Sequence, residues 1–380
     1  MHSTSSHPRP SSPPPIPAIL DNLRRRLRRK GVQALLVTQP ENRRYLSGYT
    51  AEDHSAQESS GALLIPLRGR PLLLTDFRFQ LHAESEAGAW YDIVLYQRGP
   101  VPLLVKLLPK LGLKRLAFES HAMMHATALR LAEALRPSGV ETMGSTDLVE
   151  RLRECKSEAE IELIRRAVWL NEDVFRECYK QLGPGMTEKE AARHIEATML
   201  RLGAEGPSFP TIVAAGPNGA LPHAVPTDRP IRQGEPVVID MGVRLAGYCS
   251  DMTRTVVLGD PDRPTVERIR LVRQAQKAAM ARIRAGAMAR QVDRAARQTI
   301  ATAGLGDRFG HGLGHGVGLA VHEAPYLNKR SRRQLAAGMV VTVEPGVYLP
   351  EWGGIRLENM VVVRPDGCEL LNRDTTFLDI

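Results

Sequence analysis

The chain has 380 residues, 43% of them hydrophobic and 24% charged, with a formal net charge of +9. That length suits two domains, and the apolar fraction excludes a chain too polar to bury a core. No run of about 18 uninterrupted apolar residues is present, which excludes a membrane-spanning helix, and no apolar leader of secretory type follows Met1, so a cytoplasmic protein is expected.

Residues 1–17, centred on Ser11-Ser12-Pro13-Pro14-Pro15, read as a disordered tail, because such a stretch has little apolar surface to bury. A helix over 18–30 places Ile19, Leu20, Leu23 and Leu27 on one face and Arg24-Arg25-Arg26, Arg28-Arg29-Lys30 on the other, and ends at Gly31. No aromatic residues interleave that basic run for base stacking. It reads as a solvated face, and nucleic acid is not expected as a partner. A strand follows at 34–38, then 62–65 and 72–75 flank a turn at Gly69 as a hairpin. Strands at 92–96 and 115–118 alternate with helices at 102–112 and 122–136. Residues 18–150 thus form an α/β domain with a mixed sheet.

A second domain, 156–380, opens with a capping box, Ser157 with Glu160, starting a helix that runs to about Gln181. Thr187 with Glu190 starts another in the same way. Gly185 and Gly203 bracket one helical stretch, and Gly286 and Gly304 bracket another at the same separation. With Ala191-Ala192-Arg193 in one and Ala295-Ala296-Arg297 in the other, they suggest a repeat of halves 157–258 and 263–362. Cys155, Cys178, Cys249 and Cys368 are scattered without a CxxC, so reduced thiols are expected.

Four acids carry the chemistry. Asp240 lies inside the apolar run Val237-Val238-Ile239-Asp240-Met241, and Asp251 follows eleven residues later before Met252-Thr253-Arg254-Thr255. Glu344 closes Val341-Thr342-Val343, and Glu358 follows fourteen residues later in Ile355-Arg356-Leu357-Glu358-Asn359-Met360. A charge in an apolar strand is costly unless paired or bound to a metal. Singly, each acid reads as an exposed or salt-bridged strand residue. Four together would repel strongly unless cations neutralise them. His311-Gly312-Leu313-Gly314-His315-Gly316-Val317-Gly318-Leu319, followed by His322-Glu323-Ala324-Pro325, offers the nitrogen ligand, and its glycines permit close backbone approach. It lacks the Lys-Ser/Thr of a phosphate loop and the second His of a zincin helix. His223, in Leu221-Pro222-His223-Ala224, is a further candidate that alone would read as a surface histidine.

At these residues the sequence resembles the pita-bread metallopeptidases: Xaa-Pro dipeptidase (prolidase), aminopeptidase P and, more distantly, methionine aminopeptidase. Asn42-Arg43-Arg44-Tyr45-Leu46-Ser47-Gly48 resembles a segment of their creatinase-like N-terminal domain. Leu152-Arg153, Lys156-Ser157 and Glu160-Ile161 resemble the junction into the catalytic domain. The resemblance implies an α/β (α+β) protein with a creatinase-like N-terminal domain and a C-terminal pita-bread domain of pseudo-two-fold symmetry. It implies two divalent metal ions held by Asp240, Asp251, His315, Glu344 and Glu358. In it Asp240 serves one ion, His315 and Glu344 the other, and Asp251 and Glu358 bridge both. Oxygen-rich donors with one imidazole favour Mn, with Co and Zn as alternatives. His223, His322, Glu344 and Arg356 are the implied catalytic groups, and His223, His311, His322, Tyr348 and Arg356 the implied substrate-binding groups. Glu344 would move the proton. The implied substrates are Xaa-Pro peptides, with dipeptides favoured over the longer peptides of aminopeptidase P, and a homodimer is expected. The intact ligand set argues against a metal-free creatinase and against a non-catalytic binding protein. The N-terminal domain argues against methionine aminopeptidase.

Overall fold

The computed structural model describes residues 15–53, 55 and 58–373. Two compact units lie within Pro14–Arg153 and within Glu154–Ile380. Among the described residues no helix is long and apolar enough to cross a membrane.

In the first unit, helix α1 (Ile16–Lys30) buries Ile19, Leu20, Leu23 and Leu27, leaves its arginines outward and closes on Gly31 in the left-handed region, φ 68°. The helix starts two residues ahead of the expected 18. Pro17 is well placed in a first turn, where its missing N–H costs nothing. Ile16 and Pro17 therefore belong to the helix rather than to the tail, and residues 1–14 of that expected tail lie outside the described ones. Helices α2 (Pro40–Ser47), α3 (Gln80–Ala87), α4 (Pro100–Lys110), α5 (His125–Leu135) and α6 (Glu150–Arg153) follow. The sheet is built from β1 (Ala34–Val37), β2 (Ala62–Pro66), β3 (Leu72–Thr75), β4 (Asp92–Leu95), β5 (Arg115–Glu119) and β6 (Glu141–Ser145), in the order β4-β3-β2-β1-β5-β6. It is mixed as expected: β1–β2 and β2–β3 run antiparallel, the other pairs parallel. Helix α2 gave no apolar pattern because it buries Asn42 and Arg43. The Arg43 guanidinium donates to Ala51 O, Asp53, Ser60 Oγ and Gly61 O.

In the second unit, α7 (Glu158–Tyr179) and α8 (Glu188–Arg201) both start with the reciprocal capping boxes read from Ser157/Glu160 and Thr187/Glu190. Then come β7 (Gly206–Pro207), β8 (Ile212–Ala215), β9 (Pro236–Met241), β10 (Val243–Leu245), β11 (Tyr248–Cys249) and β12 (Met252–Val257), with β8-β9-β12 forming an antiparallel sheet. The second half repeats the plan. Helices α9 (Arg263–Met280) and α10 (Ala289–Thr302) precede β13 (Gly314–Gly316), β14 (Glu323–Leu327), β15 (Val340–Val343), β16 (Gly346–Leu349), β17 (Gly353–Arg356), β18 (Asn359–Val363) and β19 (Cys368–Leu370). Here the sheet order is β14-β13-β15-β18-β19, with β15 and β18 antiparallel like β9 and β12. The four bracketing glycines share one conformation, with φ of 92°, 97°, 84° and 76° at Gly185, Gly203, Gly286 and Gly304. Each helix pair packs on the sheet of its own half, in two cores, and α7 also buries Ile161, Ile164 and Val168 against Val340, Met360 and Val362 of the other half. The halves join where Glu358 N–H donates to Thr253 O at 3.1 Å.

Candidate metal centre

Asp240 sits within β9, between β8 and β12, paired with Thr253 across the ladder. Asp251 immediately precedes β12, Glu344 immediately follows β15, and Glu358 lies in the two-residue break between β17 and β18. Only Asp240 is thus embedded in a strand. The other acids stand at strand ends, where the backbone leaves its ladder, as when Glu344 N–H turns to Leu313 O at 2.9 Å. His315 is the middle residue of β13. The glycines beside it are required: a Cβ on Gly314 would lie 2.1 Å from Thr342 O, and one on Gly316 2.4 Å from Ala324 O. Their absence of side chain lets β13 lie close enough for the imidazole to meet the acids.

The five residues converge. Three overlapping groups each bring ligand atoms within 4.8 Å of one another: Asp240, Asp251 and Glu358; His315, Glu344 and Glu358; and Asp251, His315 and His322. His315 Nε2 lies 3.3 Å from Glu344 Oε1 and 3.6 Å from Asp251 Oδ2, while its Nδ1 faces Gly316 O at 3.1 Å. An Nδ1–H donated to that carbonyl fixes the ring and leaves Nε2 facing the acids, able to serve as a ligand atom. Thr253 Oγ1 donates to Glu358 Oε2 at 2.7 Å, and Thr342 Oγ1 donates to Glu344 Oε1 at 3.0 Å. These two threonines were missed in the sequence. Thr253 is two residues from Asp251 and Thr342 two from Glu344, the spacing that puts side chains on one face of a strand.

The electrostatics call for cations. Burial pushes the Asp251 carboxyl well above the usual carboxylate range, and Glu358, Asp240 and Glu344 push it further. Burial, Glu344 and Asp240 do the same to Glu358. Burial would raise Glu344 too, but the hydrogen bond and charge of His315, with His311 and Arg356, bring it below its ordinary value. Desolvation disfavours the charged form of His315, but Glu344, the Gly316 carbonyl and Asp240 together more than offset this, so His315 is raised. Two buried oxygens, Asp240 Oδ1 and Glu358 Oε1, have no hydrogen-bond partner among the described residues. Leaving a buried acceptor unmet costs ~1–3 kcal/mol. Both belong to one ligand group, so a divalent cation there would satisfy them and reverse the repulsion. The donor set fits such ions.

Around this centre a cavity of about 500 Å³ is lined by His223, His311, His322 and Arg356 with the five acid and imidazole groups, and by Phe209, Ile212, Val225, Tyr326 and Asn328. Sequence reading did not find the last five, which carry no charge and fall in no motif. Arg356 is buried and fully engaged: Nη2 donates to Asp240 Oδ2 at 2.6 Å, Nη1 to Tyr348 OH at 2.9 Å and to Pro222 O at 3.0 Å, and Nε to Thr253 Oγ1 at 3.0 Å. Tyr348 OH lies 2.9 Å from His311 Nε2, and His311 Nδ1 lies 2.7 Å from Gly312 O. Tyr348 thus stands behind the cavity and links His311 to Arg356. Burial lowers the His311 pKa, consistent with a neutral ring accepting the tyrosine proton. His322 and His223 are exposed at the rim. The His322 ring is 4.3 Å from that of His315, so it lies nearer the ligand set than the sequence suggested. Desolvation and the neighbouring His315 lower its pKa.

The sequence pattern of metallopeptidase family M24 matches residues 162–365, and that of the creatinase/prolidase N-terminal domain matches residues 19–155. An uncharacterized peptidase of Bacillus subtilis, YqhT, is 35% identical over 92% of this chain and 96% of its own. A solved Xaa-Pro dipeptidase from Bacillus anthracis superposes with a TM-score of 0.89 at 34% identity, over 95% of this chain and 98% of its own. An X-Pro aminopeptidase from Thermotoga maritima gives 0.83 at 36% identity, over 92% and 98%. With its creatinase-like first unit, its pita-bread second unit and a converged carboxylate–histidine cluster, the chain belongs to metallopeptidase family M24 and is a metallopeptidase.

Proposed function

We propose that this enzyme hydrolyses the peptide bond preceding proline, with two divalent cations held by Asp240, Asp251, His315, Glu344 and Glu358. The observation that carries the reading is the overlap of the ligand groups, in which Glu358 and Asp251 belong both with Asp240 and with His315. Bound there, such cations polarise a carbonyl and make a water nucleophilic near neutral pH. Mn is the first choice for an oxygen-rich set, with Co and Zn next.

Glu344, held below its ordinary pKa, is ionised and ready to take the proton of the attacking water. It then delivers that proton to the proline ring nitrogen. A bond to proline is a tertiary amide without N–H, so an enzyme that needs only the carbonyl and the nitrogen lone pair is not handicapped. His322 and His223, at the rim, donate to the oxygen on which negative charge develops. Arg356 and Tyr348 orient Asp240 and His311. His322→Ala should keep its metal and lose about 100-fold in kcat. Elemental analysis beside kinetics checks this, and an emptied site would make His322 a ligand.

A free Xaa-Pro dipeptide is the favoured substrate, in keeping with the solved dipeptidase it resembles. A second reading, the aminopeptidase on longer peptides, is favoured by the cavity itself. Its one guanidinium among the described lining residues, Arg356, is already bound to Asp240 and is not free for a proline carboxylate. Hydrolysis of Ala-Pro, Ala-Pro-Ala and Ala-Ala at matched concentrations with Mn decides. Faster Ala-Pro supports the dipeptidase, faster Ala-Pro-Ala the aminopeptidase, and equal Ala-Ala cleavage removes the proline claim. The proposal includes a homodimer, which sedimentation would read directly.

A further inference from the structure

Two buried ionic groups outside the cavity hold its loops from the corresponding helices of the two halves, Glu188 at the first position of α8 and Asp293 at the fifth of α10. Glu188 opens α8 and is fully buried. Its Oε1 accepts from Ala215 N–H at 2.7 Å. Its Oε2 accepts from Asn218 Nδ2 at 2.8 Å, Thr227 N–H at 2.9 Å and Thr227 Oγ1 at 2.6 Å. These donors stand at the two ends of the segment 215–227, which brings His223 to the cavity rim. The middle of that segment is held from the other side, where Pro222 O accepts from Arg356.

In the second half the corresponding helix, α10, carries Asp293, which is 1% exposed. Asp293 pairs with Arg297 one turn on, through contacts of 2.7 and 2.9 Å. Asp293 Oδ1 also accepts from Leu313 N–H at 3.2 Å. Arg297 donates to Phe309 O at 2.8 Å and to His311 O, and its guanidinium lies 4.1 Å from the Phe309 ring centre. The segment 309–313 so held carries His311 and runs straight into β13 and His315. Buried charges with every bond satisfied permit one geometry, and losing one partner leaves the others unmet.

We propose that Glu188 and the Asp293–Arg297 pair are positioning residues of the active site, one for each half, which fix the loops that present His223 and His311 to the substrate. The proposal rests on the peptidase reading above. Double-mutant cycles on the full-length, Mn-loaded enzyme test it: Glu188→Gln with His223→Ala, and Arg297→Lys with His311→Ala. Arg297→Lys retains the charge beside Asp293 but cannot hold two carbonyls with one fork. Each positioning variant alone should lose roughly 10- to 100-fold in kcat/KM, with Mn per chain near that of the wild type and a lowered melting temperature that still leaves the enzyme folded at the assay temperature. In the matching His→Ala background the same change should cost less than about threefold, because the group acts through that histidine. Thr227→Val, which removes the Oγ1 donor to Glu188 at the end of the first segment, reads the same coupling should Glu188→Gln fail to fold. Losses that multiply independently, or metal lost in step with activity, overturn the proposal. The cycles use whichever peptide the wild type hydrolyses, so a failed proline preference shows in the wild type alone and failed positioning shows as additivity.

Discussion

Asp251→Ala and Glu358→Ala should each purify with metal lost and with peptide hydrolysis down on the order of 10³-fold or more. Each residue stands in two of the overlapping ligand groups, so removing either weakens both cation positions at once. The cations contribute several kcal/mol of charge stabilisation to the reaction, and each 1.36 kcal/mol is a factor of ten. The fold should survive. Asp251 is held out of water among Glu358, Asp240 and Glu344, so in metal-free protein its removal relieves repulsion as well as deleting packing. Melting temperature, bound metal and rate measured on the same preparation separate these effects. A metal-poor Asp251→Ala enzyme with wild-type turnover would sink the two-cation reading. A variant that is inactive because it is unfolded would show that the acid is a structural group.

The five residues that converge in the cluster were legible in the sequence because their signals are local. An acid in an apolar run, as at Asp240, and an imidazole between two glycines, as at His315, each mark a position where ordinary packing would not tolerate that residue. The repeat was legible for a similar reason: Gly185, Gly203, Gly286 and Gly304 all occupy a region of φ that other residues avoid. The capping boxes of α7 and α8 were visible as pairs three residues apart. What escaped was carried by polar residues buried through distant partners. Helix α2 buries Asn42 and Arg43, which no amphipathic pattern would place inside. Glu188, which no sequence signal singled out, meets partners 27 to 39 residues away. Tyr348 sits behind the cavity rather than in it, a distinction that depends on how Arg356 is shared between Asp240 and Pro222. The apolar walls, Phe209, Ile212 and Tyr326, fall in no motif because any hydrophobic wall is chemically like another.

Stripping the cations should leave a protein that loses stability as pH rises, and restoring them should reverse that trend. Asp251 and Glu358 have folded pKa values well above their ordinary range. A group of that kind contributes stability that is complete below its unfolded value, about 4, and is lost as pH climbs through the folded value. His315, also raised, adds to the loss above its ordinary value. Glu344, which is lowered, acts in the opposite sense, present at high pH and lost on acidification, but it is one group against three. Cations bind the ionised carboxylates and the neutral imidazole, so protons compete with them and the loaded form weakens towards acid. The gap in melting temperature between Mn-loaded and chelated protein should therefore widen from about pH 5 to about pH 8. At a thousandfold excess over Kd one site contributes about 4 kcal/mol, on the order of 10 °C for a unit of this size. Taking the difference between the two forms at each pH cancels every group outside the site, which titrates alike in both. A gap that stays constant or narrows towards pH 8 would mean that these carboxylates are not held protonated by one another in the metal-free protein.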